Sequence, residues 1–193
     1  MARIVVTQNV SLDGVVQGPG RPDEDTRDGF EHGGWAGPYT DATAMEKMGD
    51  GMARTTAMLF GRRTYEDFFG FWPKQTDGNP FTEVLDKAPK YVASRTLVEP
   101  LPWRNSTLLP GEAAESVAEL KQELDGDVVV LGSGVLVRSL AAAGLVDEYT
   151  LLIHPLVLGG GRRLFPDRGP FGGMRLVDSV ATTTGVLIAT YRP

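Results

Sequence analysis

Three short segments of the chain combine small residues with residues that bind anions. They are Gly61-Arg62-Arg63-Thr64, Ser94-Arg95-Thr96 and Gly132-Ser133-Gly134, and each directly follows a short apolar run. Glycine allows a backbone to approach a phosphate closely, a helix N-terminus presents free N–H groups, and the arginine guanidinium is a planar fork that matches phosphate oxygens. If the three segments lie together, they are suited to bind a phosphorylated nucleotide.

The elements around these segments determine whether they meet. The apolar runs 57–60, 90–93 and 127–131 are predicted to be buried strands, and the first and last of them lead through glycine into helical patterns. Strand, turn and helix in alternation predict a parallel sheet. Because the carboxyl ends of strands line the ligand crevice of such a sheet, we expect the three segments at one edge.

The remaining pattern indicates one α/β domain over residues 1–193. Strand-like runs without helices between them follow Asp147, which predicts antiparallel strands at the C-terminal end of the sheet. The further predicted strands are 3–10, 106–109, 149–158, 175–180 and 186–191, and the predicted helices are 41–54, 112–125 and 135–143. We therefore predict a three-layer mixed sheet with a parallel centre, antiparallel C-terminal strands and helices on both faces.

Composition excludes several classes of protein. The 19 basic and 25 acidic residues give a net charge of −6, which disfavours a nucleic-acid partner. Cysteine is absent, so a disulfide framework, a thiolate zinc site and a cysteine nucleophile are excluded, and the two histidines lack metal-site spacing. No apolar run has the length of a membrane span or of a signal-peptide core, so we expect a cytoplasmic protein without a bound metal.

Several motifs, in this order and spacing, resemble the dihydrofolate reductase superfamily, most closely its riboflavin-biosynthesis reductase C-terminal domain branch. The similarity covers nearly the whole chain. It is carried by Val10-Ser11-Leu12-Asp13-Gly14, Leu59 to Glu66, Ser94-Arg95, Val128 to Gly134, Asp147-Glu148 and Pro155 to Gly161. The resemblance implies a dihydrofolate-reductase-like fold, an NADPH cofactor and hydride transfer to a small acceptor.

The resemblance also assigns cofactor-binding residues. Phosphate contacts are implied for Gly61, Arg62, Arg63 and Thr64, and contacts with the adenosine 2′-phosphate for Ser94 and Arg95. The pyrophosphate turn corresponds to Gly132, Ser133, Gly134, Val135 and Leu136. The nicotinamide is expected near Asn9, Val16 and Gln17. Because two of these residues would contact the 2′-phosphate, NADPH is favoured over NADH.

The acceptor is less closely defined. Dihydrofolate reductases hold the pterin with a carboxylate on the first helix, and the corresponding position is Met45, beside Glu46, while Asp41 or Asp50 requires another helix phase. Reductases of riboflavin biosynthesis act on a ribosylaminopyrimidine phosphate, yet residues 18–40 contain more acidic than basic residues. We predict a small heterocyclic acceptor, pyrimidine-like or pterin-like. The alternatives are a dihydrofolate or pteridine reductase proper and a non-catalytic NADPH-binding protein.

Hydride transfer to C=O or C=N also needs a proton source. The candidate catalytic residues are Asp13, His32, Glu46 and Tyr149. Asp13 could instead form the Asp-Gly turn, and His32 could be an exposed loop residue without a catalytic role. The other histidine, His154, is predicted to be structural. Aromatic residues that could wall the acceptor pocket are Phe30, Trp35, Tyr39 and Trp72. Family precedent implies a homodimer, with the C-terminal strands as the candidate interface.

Overall fold

The computed structural model describes residues 1–76, 78–165 and 172–193. Within them it contains eight strands: β1 Arg3–Ser11, β2 Thr55–Gly61, β3 Lys90–Ala93, β4 Ser106–Leu109, β5 Asp127–Leu131, β6 Glu148–His154, β7 Arg175–Ala181 and β8 Leu187–Arg192. The five α-helices are α1 Ala42–Ala53, α2 Arg62–Phe71, α3 Pro80–Lys87, α4 Ala113–Glu123 and α5 Gly134–Ala142. No described helix is long and apolar enough to cross a membrane.

All eight strands form one sheet in the order β4-β3-β2-β5-β1-β6-β8-β7. The first six strands in this order, from β4 through β6, run parallel to one another. Strand β8 pairs antiparallel with both β6 and β7. This topology confirms the predicted mixed sheet with a parallel centre. It also places β7 at one edge, while a homodimer through the C-terminal strands stays a prediction.

Helices cover both faces of the sheet. On one face, α4 and α5 bury Val117, Leu120 and Leu140 against alternate residues of β1 and β5, such as Val6 and Val130. On the other face, α2 and α3 pack against β2 and β3, and Ala44 of α1 packs against Leu152 and Ile188. Because successive strand residues point to opposite faces, each central strand contributes to both layers.

Two local predictions differ from the structure. Helix α3 was not predicted, although Asn79 caps it by accepting the Phe81 N–H at 3.0 Å and Pro80 occupies its first position. Strand β6 ends at His154 rather than continuing to residue 158, because Pro155 has no N–H to donate to a ladder.

Candidate active site

The three predicted anion-binding segments lie side by side at the carboxyl edge of neighbouring strands β3, β2 and β5. Gly61 stands opposite Ala93 in the β2–β3 register, so Ser94 begins directly beside the β2 turn. The β2 and β5 turns are bonded to each other. The Gly61 N–H donates to Ser133 Oγ at 2.9 Å, and the Ser133 N–H donates to Thr64 Oγ1 at 3.0 Å.

The amino ends of α2 and α5 meet at these turns with unused donors. Neither helix has a side-chain cap, and no described group accepts a hydrogen bond from the backbone N–H groups of their first turns. These donors belong to Arg62, Arg63, Thr64, Gly134, Val135 and Leu136. Two converging helix N-termini with free N–H groups are suited to bind an anion.

Backbone conformation shapes the β5 turn. Gly132 has φ 64° and Ser133 has φ 58°, so the chain bends through two consecutive left-handed residues before α5 begins. A Cβ at Gly132 would lie 3.2 Å from Thr64 Cγ2, so a side chain there would force the two turns apart. The buried Gln8 side chain donates to the Gly132 carbonyl and ties the turn to β1.

The β3 turn adds positive charge to the same edge. Ser94 Oγ accepts the N–H groups of Thr96 and Leu97 at 3.2 and 3.0 Å, which fixes the turn. The Arg95 side chain is 81% exposed and lies 3.5 Å from a Glu112 carboxylate oxygen. Arg62 and Arg63 are also exposed, and Arg63 has no partner among the described residues. Guanidinium groups therefore flank the paired helix N-termini.

Strand β1 continues this edge beyond the β5 turn. Val16 lies beside the first residue of α5, Gly134. A Cβ built on Gly134 would be 3.5 Å from Val16 Cγ2. Asn9, on the α1 side of β1, shares a 2.9 Å hydrogen bond between its Oδ1 and His154 Nε2. The end of β1 thus places a small apolar residue and an amide next to the anion-binding turns.

A cavity of about 200 Å³ lies between α1 and the sheet on the same side as Asn9. Thr7, Leu131 and Leu152 form part of its floor, and α1 contributes Lys47, Met48, Asp50, Gly51 and Met52. Thr7 precedes Asn9 by two residues, so both side chains point to this face. The cavity therefore shares its face of the sheet with Asn9, and it extends under α1 towards Thr55, Asp127 and Glu148 at the amino ends of the strands.

Comparison with known proteins now identifies the family. The model of the RibD C-terminal domain matches residues 2–188, which is nearly the whole chain. The chain belongs to the RibD C-terminal domain family. This result confirms the resemblance to the riboflavin-biosynthesis reductase branch of the dihydrofolate reductase fold.

One relative and two solved structures are similar to the chain, and the structures share its fold. The uncharacterized protein YyaP of Bacillus subtilis is 29% identical over 145 residues, covering 74% of this chain and 76% of its own. A structure from Shewanella sp. PV-4, provisionally named a riboflavin biosynthesis protein, has a TM-score of 0.68 at 20% identity, with 98% of both chains covered. Dihydrofolate reductase from Enterococcus faecalis, complexed with NADP(H) and RAB-propyl, has a TM-score of 0.61 at 12% identity, with 98% of this chain and 95% of that chain covered.

In this RibD C-terminal domain, Asp13 does not fit a role as proton donor. Its carboxylate accepts the Ser11 hydroxyl at 2.6 Å and the N–H groups of Leu158 and Gly159 at 3.1 and 2.9 Å. These hydrogen bonds, that of Ser11 foremost, lower the pKa of Asp13 to about 2. Asp13 is ionised at neutral pH and tethers the β1 turn to the segment after β6.

Tyr149 and Glu46 are also displaced from the site. Tyr149 is 2% exposed and packs in the layer of α4 and α5, where burial raises its pKa. It therefore lies on the face of the sheet opposite the cavity. Glu46 is exposed and is not among the α1 residues that line the cavity, whereas Asp50 is. Asp50 lies near the end of α1, shortly before β2 begins at Thr55, and so stands towards the amino ends of the strands.

Gln17 serves the long loop rather than a nicotinamide. It is 3% exposed, its Nε2 donates to the carbonyls of Asp25 and Arg27, and its Oε1 accepts the Arg162 N–H at 3.0 Å. Both polar atoms of its side chain are used inside the protein. Gln17 is better described as a tether of the loop that follows β1.

The four aromatic candidates separate into different places. Phe30 and Trp35 are buried with Val15 inside the long loop, although the Trp35 ring, like that of Tyr39, also contacts His154. Trp72 packs against Phe81 at 4.7 Å, beyond the far end of α2. Ten helical residues separate it from Gly61, about 15 Å at 1.5 Å per residue. Trp72 is therefore distant from the Gly61 turn, and it is not among the residues that line the cavity under α1, although its neighbour Phe81 is.

His32 is an exposed loop residue whose ring lies 5.7 Å from that of Phe30. The sequence interpretation did not anticipate Gln8 or His154 at the site. Polar residues within an apolar strand pattern were the available signal for both. Among the described residues, no group of three or more His, Asp or Glu is arranged to hold a metal ion.

Proposed function

We propose that this protein is an NADPH-dependent reductase of a small heterocyclic acceptor. The observation that carries the proposal is the pair of uncapped helix N-termini at α2 and α5, joined through Ser133 and flanked by exposed arginines. Such a site suits a pyrophosphate. A second phosphate-binding turn on the adjacent strand β3 suits the 2′-phosphate that distinguishes NADPH from NADH.

The strand order supports the direction of the bound cofactor. Neighbouring strands are about 4.8 Å apart, so β3, β2, β5 and β1 span about 14 Å along the edge. With the 2′-phosphate at Arg95 and the pyrophosphate at α2 and α5, the nicotinamide end would lie at β1, beside Asn9 and Val16. NADPH would supply the hydride there. The chain's own residues would hold the cofactor and place the acceptor.

The cavity under α1 is the candidate acceptor pocket. Its volume of about 200 Å³ is below the 300–1,000 Å³ range typical of drug-sized ligands, which favours a single heterocycle over a molecule the size of folate. The two arginines of the long loop do not offer a second phosphate site, because Arg21 pairs with Asp67 and Arg27 with Asp25. We therefore favour an acceptor without a phosphoribosyl group.

The first test compares NADPH and NADH binding by thermal unfolding. A ligand at 100 times its Kd stabilises by about 2.7 kcal/mol, so NADPH should raise Tm clearly more than NADH. In the charge reversal Arg95→Glu, this difference should disappear, while Arg104→Glu, on an arginine of the opposite sheet edge, should retain it. Equal shifts from both cofactors in the wild type would contradict the NADPH assignment.

A second test separates a reductase from a protein that only binds the cofactor. NADPH oxidation is followed at its absorbance maximum with oxidised pyrimidines, pterins and dihydrofolate as acceptors. We expect turnover with a small heterocycle. Tight NADPH binding without turnover across the panel would favour the non-catalytic alternative.

A further inference from the structure

His154 has an arrangement that packing alone does not explain. The residue is 3% exposed at the end of β6, and its Nδ1 is buried without a hydrogen-bond partner. Trp35 and Tyr39 meet its ring edge to face at centroid distances of 5.1 and 5.6 Å. Because an unsatisfied buried polar atom is costly, an apolar ring would fill this space at lower cost. We therefore look for the role of His154 in the hydrogen bond that its other nitrogen, Nε2, makes.

The hydrogen bond to Asn9 indicates which nitrogen carries the proton. Burial lowers the pKa of His154 to about 4, so the ring is neutral and has one N–H. If that N–H were at Nδ1, it would be a buried donor without an acceptor, which is rare in proteins. With the proton at Nε2, the ring donates to Asn9 Oδ1 at 2.9 Å. The Asn9 amide is thereby fixed with its oxygen towards β6.

This orientation leaves the Asn9 amino group available. No described group accepts a hydrogen bond from Asn9 Nδ2, and this atom is not among the buried unpartnered atoms, so it contacts solvent. Strand β1 lies between β6 and β5. Since the oxygen faces β6, the amino group is on the side of the amide away from His154, and the neighbour of β1 on that side is β5, whose turn at Gly132 to Gly134 begins the candidate anion site. A donor with a fixed direction therefore stands at the β1 end of the cleft.

We propose that His154 is a positioning residue that holds Asn9 so that the Asn9 amino group donates a hydrogen bond to the carboxamide oxygen of the nicotinamide. This inference rests on the proposed NADPH-binding function. Asn9 then recognises the nicotinamide carboxamide through its oxygen. His154 prevents the Asn9 side chain from rotating, which would present the Asn9 oxygen in place of its amino group. The recognition would add selectivity for the nicotinamide end that the phosphate contacts do not provide.

The test measures binding of NADP⁺ and three related ligands by isothermal titration calorimetry. The thionicotinamide analogue replaces the carboxamide oxygen with sulfur, a poor acceptor, while the 3-acetylpyridine analogue retains the oxygen. The fourth ligand, 2′-phospho-ADP-ribose, has no nicotinamide. The variants are Asn9→Ala, His154→Phe, the conservative His154→Gln, which retains an N–H donor, and His32→Phe as a control on the exposed histidine.

We expect Asn9→Ala and His154→Phe to bind NADP⁺ and the acetylpyridine analogue about five- to tenfold more weakly than the wild type, the loss of one hydrogen bond. Their affinity for the thionicotinamide analogue and for 2′-phospho-ADP-ribose should change less than twofold. His154→Gln should recover most of the loss, and His32→Phe should match the wild type. Unchanged binding of 2′-phospho-ADP-ribose also shows that each variant is folded.

Two results distinguish failure of the proposed function from failure of the role of His154 and Asn9. If the wild type binds neither NADP⁺ nor 2′-phospho-ADP-ribose, the proposed function fails. If the wild type binds both but the variants lose affinity equally for the oxygen and sulfur ligands, or for none of them, the role of His154 and Asn9 is overturned while the proposed function stands.

Discussion

Ser133 Oγ accepts the Gly61 N–H at 2.9 Å and thereby joins the turns that begin α2 and α5. The two residues are 72 positions apart in the chain. Ser133 has a left-handed conformation, φ 58°, which costs of order 1 kcal/mol or more in a residue other than glycine. The interaction therefore offsets a local cost and holds two helix N-termini at one anion-binding position.

The substitution Ser133→Ala should weaken both folding and cofactor binding. It leaves the Gly61 N–H without its acceptor and retains the strained φ, so we expect a loss of about 1–2 kcal/mol in the free energy of unfolding. NADPH affinity should fall because the two helices are no longer fixed. Urea denaturation and calorimetry measure these effects, with Ser139→Ala, an exposed position on α5, as the matched control. Wild-type stability in Ser133→Ala would refute this role.

Gly132→Ala should also damage the site. The residue has φ 64°, and a Cβ would lie 3.2 Å from Thr64 Cγ2, so we expect a loss of about 2 kcal/mol and weaker NADPH binding. Gly70→Ala is the control, because Gly70 lies in helix α2 with open space around it and alanine there should stabilise by up to about 1 kcal/mol. If both changes shift the urea midpoint in the same direction, the explanation is wrong.

The prediction for Asp13 distinguishes a tether from a catalytic acid. Asp13→Asn retains one acceptor oxygen but loses charge-assisted bonds to Leu158 and Gly159, so it should destabilise by about 1–2 kcal/mol with wild-type NADPH affinity. Because the folded pKa of about 2 lies below the unfolded value, this stabilisation is present above pH 4 and is lost as pH falls towards 2. Asp23→Asn, in the exposed loop, is the control. Denaturation at pH 7 and pH 3 checks the result; weakened NADPH binding at unchanged stability would contradict it.

His154 should make stability depend on pH in a higher range. The folded pKa of about 4 is below the unfolded 6.5, so the unfolded chain binds a proton first as pH falls. Stability is then lost between about pH 6.5 and 4, by up to about 3 kcal/mol. His154→Phe removes this contribution, so its free energy of unfolding should vary less over that range. Parallel pH profiles for the variant and the wild type would show that His154 is not buried in its neutral form.

The turns of the candidate site could be predicted from the sequence because their residues lie next to one another in the chain. Glycine and arginine after apolar strands mark the turns at Gly61 and Gly132 without any knowledge of the fold, since turn chemistry depends on neighbouring residues. The α5 pattern likewise ends at Gly144, which has positive φ. The resemblance to the RibD family likewise depends on the order and spacing of these same motifs, whereas the strand order in the sheet was not predicted.

The misplaced residues depend on contacts that are distant in sequence. Tyr149 and His154 lie five residues apart on one strand, so alternation places them on opposite faces, but packing against helices elsewhere in the chain decides which face carries the site. Asp13 and its partner Gly159 are 146 residues apart, so no local pattern reveals that its carboxylate is already occupied. Helix α3 was missed because Asn79-Pro80 and the nearby glycine favour a turn as much as a helix start.

The most direct test of the central claim is a crystal structure of the protein with bound NADPH. We expect the pyrophosphate within hydrogen-bond distance of the N–H groups of Gly134 and Arg63, the 2′-phosphate at Ser94 and Arg95, and the nicotinamide beside Asn9. NADPH bound away from the α2 and α5 N-termini, or with its adenosine end at β1, would contradict the account.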